Sequence, residues 1–495
     1  MATLFRIKGL VLLLLVVLML VCSGIDFCEG RRGRHWRQRR LPTSSALAKR
    51  KGKGKSTGGG HGGRKGGGSS KGSIPSPNPS SSPSSNHSSA YNVLDFGAKG
   101  DGVTDDTKAF EAAWAAACKE EASTLKVPST YTFLVGPISF SGPYCQPNII
   151  FQLDGSIVAP TNPKVWSPGP LWWMEFTKLK GITIQGRGSV DGRGSIWWTQ
   201  SEIDVDPACS TCLQISVVLG TKLPSIKPTA VRFYGSYNVT VTGIMIQNSP
   251  QCHLKFDNCE AVHVFNMSVS SPGSSLNTDG IHLQNSKDVS IHHCNLSCGH
   301  FFLLSYEYEY NTSTLEFTWL FHCSSPRFSI GGLGRDRTRA CVSNVTVQNV
   351  NMYGTMTGVR IKTWQGGSGS VENIRFSNIR VSEVQTPIVI DQFYCDRIAC
   401  KNQTSAVELS GIAYESIKGT FTVKPMHFAC SDGAPCSGIS LNEIELLPLQ
   451  ERYHMYDSFC WQAFGELYTP TIPPILCLQS GKPASSRILS DHDLC

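Results

Sequence analysis

The chain has 495 residues, 40% of them hydrophobic and 17% charged, which excludes a wholly disordered or fibrous protein because such a composition can bury a large core. The net charge of +8 is concentrated in residues 31–71, which hold 14 lysines and arginines and no acid, so the rest of the chain carries −6. This split indicates a basic arm on a mildly acidic body, and nucleic-acid binding is not predicted.

Residues 1–24 are predicted to be a secretory signal peptide. Arg6 and Lys8 form a short positive region, and an unbroken apolar run, Leu10–Val21, follows it. The run is shorter than an ordinary membrane-spanning helix, which favours a cleaved signal over an uncleaved anchor. We therefore expect a secreted, extracellular protein with no stable membrane association.

The next segment, residues 25–90, is first basic and then rich in serine and proline. Such a composition cannot bury enough apolar surface to offset chain entropy, so the segment is predicted to be disordered. Its Lys-rich stretch at 49–55 is similar to a nuclear address, but the signal peptide argues against that interpretation. The folded domain is predicted to span residues 91–495.

The 19 cysteines agree with export to an oxidising compartment. Three close pairs are predicted to form local disulfides: Cys209/Cys212, Cys395/Cys400 and Cys430/Cys436. The first pair could instead be half of a zinc site, but no second pair at metal spacing accompanies it, so neither a metal nor a cofactor is predicted. Seven sequons permit glycosylation, at Asn86, Asn238, Asn266, Asn295, Asn311, Asn344 and Asn402.

Within the folded domain, Ala109–Lys119 has the apolar spacing of an amphipathic helix and is predicted to be a single cap helix. Similar short β segments follow, and their first apolar residues are Ile182, Val239, Val262, Val289, Val345 and Ile374. The steps between them are 57, 23, 27, 56 and 29 residues, so each long step is about two short ones. A period of 23 to 29 residues is typical of a solenoid, in which each unit buries its apolar face by stacking on its neighbours.

The alternation of valine and isoleucine in strands of three to five residues favours an all-β parallel β-helix. A leucine-rich repeat is the competing solenoid, but its leucine spacing and asparagine ladder are absent. A β-sandwich is the other architecture that supplies many short strands. In a β-helix, a substrate groove would run along one sheet and the chemical residues would lie on adjacent coils.

Two motifs carry candidate chemistry. Asn-Thr-Asp-Gly-Ile-His at 277–282 is followed about eighty residues later by the strand Gly358–Trp364. Within that strand, Arg360 and Lys362 are two residues apart and therefore share one face, while their apolar neighbours point into the core. Two adjacent cations on an exposed face are suited to bind a carboxylate, although a merely solvated polar face has the same pattern.

These motifs, with YNVLDFGAKGDGVTDD at 91–106 and IDQFYCD at 390–396, resemble plant polygalacturonases of glycoside hydrolase family 28 over most of residues 91–495. The resemblance implies a right-handed parallel β-helix of the pectin-lyase-like kind. It implies hydrolysis of 1,4-α-D-galacturonosyl linkages in pectin with inversion, by a monomer in the cell wall. By the same resemblance Asp279 is the water-activating base, Asn277 supports the substrate or that base, Arg360 and Lys362 bind the acidic sugar, and Tyr394 contacts it.

The block His300–Phe328 departs from this family pattern. Where the family has an Asp-Asp pair the chain has His300-Phe301, and where it has Gly-His-Gly the chain has residues 325–327, Ser-Pro-Arg. Nine of the 29 residues of the block are aromatic and none is glycine, although both flanks follow the pattern. Three explanations are open: a mistranslated exon boundary in a working enzyme, a variant that binds pectin without cleaving it, or replacement of the missing acids by Glu307 and Glu309.

The basic arm has two interpretations in this setting. De-esterified pectin is a polyanion, so 14 cations on a disordered segment are predicted to hold the protein on acidic wall polysaccharide. The alternative is a solubilising linker, or a propeptide removed during secretion.

Overall fold

The structure is a computed structural model that describes residues 89–483, except 168, 170, 199–223, 225, 274, 276–277, 300–325, 397–399 and 451–456. The first described strand, β1, begins at Ala90, beside the predicted start of the folded domain. The predicted signal peptide and nearly all of the segment at 25–90 lie outside the described residues, so those assignments stay predictions. No helix among the described residues is long and apolar enough to cross a membrane.

The described chain forms two parallel sheets that wind around one core, as coils of a β-helix. The ten-stranded sheet contains β5 (Ile138–Ser141), β8 (Trp172–Thr177), β11 (Thr229–Tyr234), β14 (Leu254–Asp257), β17 (Ile281–Gln284), β19 (Pro326–Leu333), β21 (Thr357–Trp364), β23 (Thr386–Tyr394), β25 (Met426–Ala429) and β27 (Phe459–Trp461).

The nineteen-stranded sheet contains all the other described strands. They are β1 (Ala90–Asn92), β2 (Asp101–Asp105), β3 (Thr124–Val127), β4 (Thr132–Leu134), β6 (Ile150–Leu153), β7 (Ser156–Val158), β9 (Thr183–Gln185), β10 (Ser189–Asp191), β12 (Tyr237–Thr242), β13 (Met245–Gln247), β15 (Glu260–Phe265), β16 (Ser268–Pro272), β18 (Lys287–Gly299), β20 (Arg339–Tyr353), β22 (Ser368–Val384), β24 (Glu408–Phe421), β26 (Cys436–Pro448), β28 (Ala463–Leu467) and β29 (Gln479–Ser480). The described helices are α1 (Thr107–Ala117), α2 (Ser195–Trp198) and 3₁₀ turns at Val93–Phe96, Pro163–Trp166 and Arg335–Arg337.

The core explains why the coils stack in register. Each strand alternates inward apolar and outward polar residues, and pairing with the equivalent strand of the next coil aligns the inward side chains in rows. In the N-terminal coils one row is a stack of phenylalanine rings, Phe140, Phe176, Phe233 and Phe256, with centroids 4.7 to 5.1 Å apart. From β17 onward the same row is Leu283, Ile330 and Ile361, so the core is aromatic at one end and aliphatic in the middle.

The single cap helix is confirmed, two residues earlier than predicted, as α1. Its apolar face buries Phe110 and Trp114 against the first coils, with the Trp114 ring 5.2 Å from that of Phe140. The helix begins at Thr107, and the carboxylate of Asp106 before it accepts hydrogen bonds from the backbone amides of Lys99 and Gly100 instead of capping the helix. The helix therefore covers the core at the N-terminal end of the solenoid, where no further coil is described.

The interpretation of the two long repeat steps as two coils each is wrong. Val289 in β18 pairs directly with Val345 in β20, and Thr183 in β9 pairs directly with Thr240 in β12. Steps of 56 and 57 residues thus advance the sheet by one strand, like the short steps. The extra length falls between the paired strands, at chain positions that include 199–223 and 300–325.

Covalent and polar links join neighbouring coils. The predicted disulfides Cys395–Cys400 and Cys430–Cys436 are present, while Cys209/Cys212 lies outside the described residues. Two further disulfides, Cys118–Cys145 and Cys460–Cys477, span 27 and 17 residues and were not predicted, because their partners meet only when the chain has folded. Asparagine amides also link adjacent coils, an arrangement that the sequence was expected to lack: Asn373 to Asn344, Asn378 to Asn349 and Asn351 to Asn295.

Candidate active site

The candidate site lies on the outward face of the ten-stranded sheet. In β21, Val359 and Ile361 are buried in the core while Arg360 and Lys362 lie on the opposite face, as the alternation predicted. Parallel register places two outward rows across the coils. One row contains Lys255, His282, Ser329 and Arg360; the other contains Asp257, Gln284, Gly331, Lys362 and Asp391.

Asp279 is at the centre of the site, in the turn just before β17. Its carboxylate oxygen Oδ2 lies 3.2 Å from His282 Nδ1 and 3.4 Å from Lys362 Nζ, and accepts a 3.1 Å hydrogen bond from Ser329 Oγ. Burial by itself would raise the pKa of Asp279, but the Lys362 ammonium and the hydrogen bonds from His282 and Ser329 outweigh it and hold the pKa well below its ordinary value. The carboxylate is therefore ionised across the acidic and neutral range, as a base requires.

His282 is fixed between two coils. Its Nε2 lies 3.0 Å from the carbonyl oxygen of Gly331, and since a carbonyl only accepts, this nitrogen carries the proton. Burial lowers the pKa of His282, with Asp279 opposing the shift. Ser329, Asp279 and His282 do not form a serine-hydrolase triad, because the hydroxyl and the carboxylate both contact Nδ1 instead of opposite ring nitrogens.

Lys362 reaches Asp279 because Gly331 lies between them. The two residues are on adjacent strands, β19 and β21, and a Cβ at Gly331 would overlap the Lys362 side chain. With no side chain there, the lysine stem lies along the sheet and its ammonium approaches Asp279 on the coil beyond. The cation assigned to substrate also sets the charge of the candidate base.

Arg360 and Tyr394 form the second part of the site. Arg360 Nη2 is paired with Asp391 at 3.0 Å, on the next strand. The Tyr394 ring has the Arg360 guanidinium 5.3 Å and the Lys362 ammonium 5.0 Å from its centroid. Two cations against one ring are each stabilised by its negative face, and this orients both side chains.

These groups meet in a cavity of about 510 Å³. The cavity brings together the predicted residues Asp279, Lys362 and Tyr394, whereas Arg360 lies beside it and does not line it. Asn277 lies outside the described residues, and its role stays a prediction. The lining residues that were not predicted include Lys255, His282, Arg335, Trp364 and Asp396.

Lys255 could have been found from the sequence. Leu254 and Phe256 are buried, so Lys255 between them faces outward by the same alternation that identified Arg360 and Lys362. Burial lowers the pKa of Lys255, with the nearby Asp257 opposing the shift, and it makes no ion pair with a described residue. A desolvated cation without a carboxylate partner, in a cavity, is suited to bind an acidic ligand.

Two carboxylates, Asp279 and Asp396, line the described part of the cavity. Asp396 Oδ2 lies 3.7 Å from Arg335, whose guanidinium is also 5.3 Å from the centre of the Trp364 ring. The described residues contain no group of three or more histidines, cysteines or acids placed to hold a metal ion. The described site thus presents a base, three cations and two aromatic rings.

Comparison with known proteins agrees with this geometry. The sequence model of glycosyl hydrolases family 28 matches residues 118–453. A probable polygalacturonase of Arabidopsis thaliana is 36% identical over 388 residues, which cover 77% of this chain and 83% of the relative. Polygalacturonase-2 of Solanum lycopersicum is 36% identical over 361 residues, covering 72% and 74%.

Solved structures support the fold. Endo-xylogalacturonan hydrolase from Aspergillus tubingensis superposes with a TM-score of 0.55 at 18% identity, covering 80% of this chain and all of the other. Polygalacturonase from Erwinia carotovora superposes with a TM-score of 0.50 at 20% identity, covering 77% and 99%. At these identities the likeness concerns the β-helix alone, and it confirms the predicted fold class.

Proposed function

Because the chain belongs to glycosyl hydrolases family 28, we propose that it hydrolyses 1,4-α-D-galacturonosyl linkages in pectin, with inversion. The observation that carries this proposal is the Asp279 carboxylate, which Lys362 holds ionised inside a cavity lined by three cations. The relatives named polygalacturonase support the same activity. Polygalacturonate is the substrate class that suits such a site, because each of its sugars carries a carboxylate.

The residues present explain what each part contributes. Hydrolysis with inversion needs a base that activates water on one face of the sugar and an acid that protonates the leaving oxygen on the other. Asp279 has the ionisation state of the base. Lys255, Lys362 and Arg335 are in position to bind uronate carboxylates, with Tyr394 and Trp364 as ring surfaces.

The general acid is the part that the described residues do not assign. The positions where the family has its Asp-Asp pair fall at His300-Phe301, in the block outside the described residues. Glu307 and Glu309, the candidate substitutes, lie in the same block. The non-catalytic pectin-binding alternative therefore depends on this block alone, and neither the family match nor the relatives favours it.

We further propose that the protein acts outside the cell, in the wall, as a monomer. This rests on the predicted signal peptide at 1–24 and on four disulfides among the described residues, since disulfides persist in oxidising compartments. N-terminal sequencing of the secreted protein and its sedimentation in solution test both statements. A retained apolar N-terminus, or a stable dimer, would contradict them.

The activity is tested by incubating the secreted full chain with polygalacturonate and measuring new reducing ends. We expect hydrolysis, and a loss of about 10² to 10⁴ in rate for Asp279→Asn, because the amide cannot accept the proton of the attacking water. Glu111→Gln, on the exposed face of α1, is the matched control and should not change the rate. Binding of polygalacturonate without release of reducing ends would establish the non-catalytic alternative instead.

A further inference from the structure

A second cavity of about 500 Å³ adjoins the candidate active site and shares Trp364 and Tyr394 with it. Its other lining residues are Asp336, Arg337, Gln365, Cys400, Lys401 and Gln403. Two of these are cations and one is an acid. The cavity is therefore a positively charged extension of the groove, on the far side of an aromatic wall formed by Trp364 and Tyr394.

Arg337 is held in place on one side only. Its Nε donates a 3.0 Å hydrogen bond to Gln403 Oε1. Gln403 is itself fixed to Gln365, through its backbone amide at 3.1 Å and its side-chain amide at 3.4 Å. Arg337 makes no ion pair with a described residue, so its terminal nitrogens can bind a carboxylate in the bidentate geometry that guanidinium favours.

The turn that presents Arg337 has a conformation that costs free energy. Asp336 and Arg337 have φ values of 54° and 65°, in the left-handed region that residues other than glycine rarely occupy. The turn is closed by Thr338, whose amide and hydroxyl both donate to the carbonyl of Arg335. Two consecutive residues in this conformation are typical of sites where function outweighs local strain.

Lys401 is the second cation, and the Cys395–Cys400 disulfide positions the residue before it. That disulfide ties Cys400 to the residue that follows Tyr394 at the end of β23. Lys401 is exposed and makes no ion pair with a described residue. The cation is thus available at the mouth of the cavity, opposite the buttressed Arg337.

The aromatic wall connects the two cavities. The Trp364 and Tyr394 rings are perpendicular, with centroids 5.4 Å apart. On the active-site side the Lys362 ammonium lies 5.0 Å from the Tyr394 centroid, and the Arg335 guanidinium lies 5.3 Å from the Trp364 centroid. Cations on both sides of an aromatic surface match a polymer that carries one carboxylate on every sugar ring.

We propose that this second cavity binds the carboxylate of a further uronate residue of the same acidic polysaccharide chain that occupies the candidate active site. Arg337 and Lys401 bind the carboxylate, and Trp364 and Tyr394 contact the connecting sugar. The inference rests on the proposed function, because it takes the ligand to be a galacturonate polymer. It makes Arg337 and Lys401 determinants of affinity for long substrates.

The test is calorimetric titration of the full secreted chain with galacturonate oligomers of one to six residues, in an Asp279→Asn background that prevents turnover. The double variant Arg337→Met/Lys401→Met should bind the shortest oligomers as the parent does and lose about tenfold in affinity once the oligomer is long enough to reach the second cavity. The double variant Lys108→Met/Lys126→Met removes the same charge from exposed positions elsewhere and should show no such length dependence. Lys401→Met alone, on an exposed side chain, gives the same test if the double variant unfolds.

An equal affinity of parent and variant for every oligomer would overturn the inference. The proposed function would survive that result if Lys362→Met still weakened binding at every length. Failure of the parent to bind any oligomer would overturn the proposed function itself. Equal loss of affinity at every length in the Arg337 and Lys401 variants would also overturn the inference, since it would indicate a non-specific charge effect.

Discussion

At the scale of single residues, the pairing of Lys362 with Asp279 gives one side chain two tasks. The ammonium is predicted to bind substrate, and it also lowers the pKa of the candidate base from 3.4 Å away. Removing it should therefore change more than affinity. The two tasks can be separated, because they affect different measured quantities.

Lys362→Met should shift the pH dependence of kcat/KM. Lys362 is the strongest influence lowering the pKa of Asp279, so without it the pKa rises and the acidic limb of the profile moves to higher pH. Lys255→Met is the matched control, since Lys255 is not among the groups that shift Asp279, and its acidic limb should stay in place. An unchanged acidic limb in Lys362→Met would contradict the assignment of Asp279 as the base.

Stability should respond to pH in the corresponding sense. A carboxyl whose pKa is depressed by folding stabilises the protein above the ordinary carboxyl pKa of about 4, and this contribution is lost as pH falls through the folded value. Because the folded pKa of Asp279 is depressed, we expect Asp279→Asn to destabilise the chain at neutral pH and to narrow that difference as the pH is lowered below about 4. Thermal melts of the two proteins at a series of pH values test this, and a difference that is constant with pH would contradict it.

Lys255→Met should weaken binding without destabilising the fold. Burial lowers the pKa of this lysine, which means that folding disfavours its charge, and no described residue forms an ion pair with it. We expect the affinity for a galacturonate oligomer to fall about tenfold while the melting temperature stays equal or rises. The exposed Lys126→Met is the control for net charge. Unchanged affinity would exclude Lys255 from substrate binding.

At the scale of elements, the direct pairing of β17 with β19 decides what the block His300–Phe328 can affect. Ile281 pairs with Phe328 and Leu283 with Ile330, so the strands on either side of 300–325 stack in register. The framework that holds Asp279, His282 and Ser329 is therefore complete in the described residues. What the block changes is the chemistry that the family places there.

The chain as printed should hydrolyse polygalacturonate slowly, and replacing the block with the Asp-Asp and Gly-His-Gly motifs of the family should raise the rate by about 10² to 10⁴. The physical reason is that one carboxylate cannot act as both acid and base across the sugar ring. Reducing-end assays on both proteins measure the difference. In the restored chain, Asp279→Asn should abolish the gain. Rapid turnover by the printed chain would show that the missing motifs are not needed.

At the scale of the whole molecule, the distribution of charge gives a prediction that concerns residues 31–71. The 14 cations of this segment should retain the protein on pectate through non-specific attraction, which salt screens within about 10 Å at 0.1 M. A pull-down on pectate compares the secreted full chain with a form that begins at Ser73. Equal retention at low salt, or a mature N-terminus beyond Lys71, would favour the linker or propeptide interpretation.

Much of this protein can be predicted from local patterns. Alternation identified the outward pair Arg360 and Lys362, helical spacing identified the cap helix, and short separations identified the disulfides Cys395–Cys400 and Cys430–Cys436. Each of these depends on residues close together in the chain, so the geometry of one strand, one helix or one loop is sufficient. The repeated apolar pattern likewise predicts a parallel β-helix, because each coil repeats the same local rule.

Only the tertiary structure decided which coils are neighbours. A long step between repeats is equally compatible with an extra coil or an insertion, and the pairing of Val289 with Val345 shows that it is one coil. That pairing is what places Lys362 beside Asp279, 83 residues away, and Ser329 beside His282, 47 residues away. Parallel stacking depends on register between coils, which is independent of how much chain connects them, and for that reason the contacts that set the charge of Asp279 could not be predicted from the sequence alone.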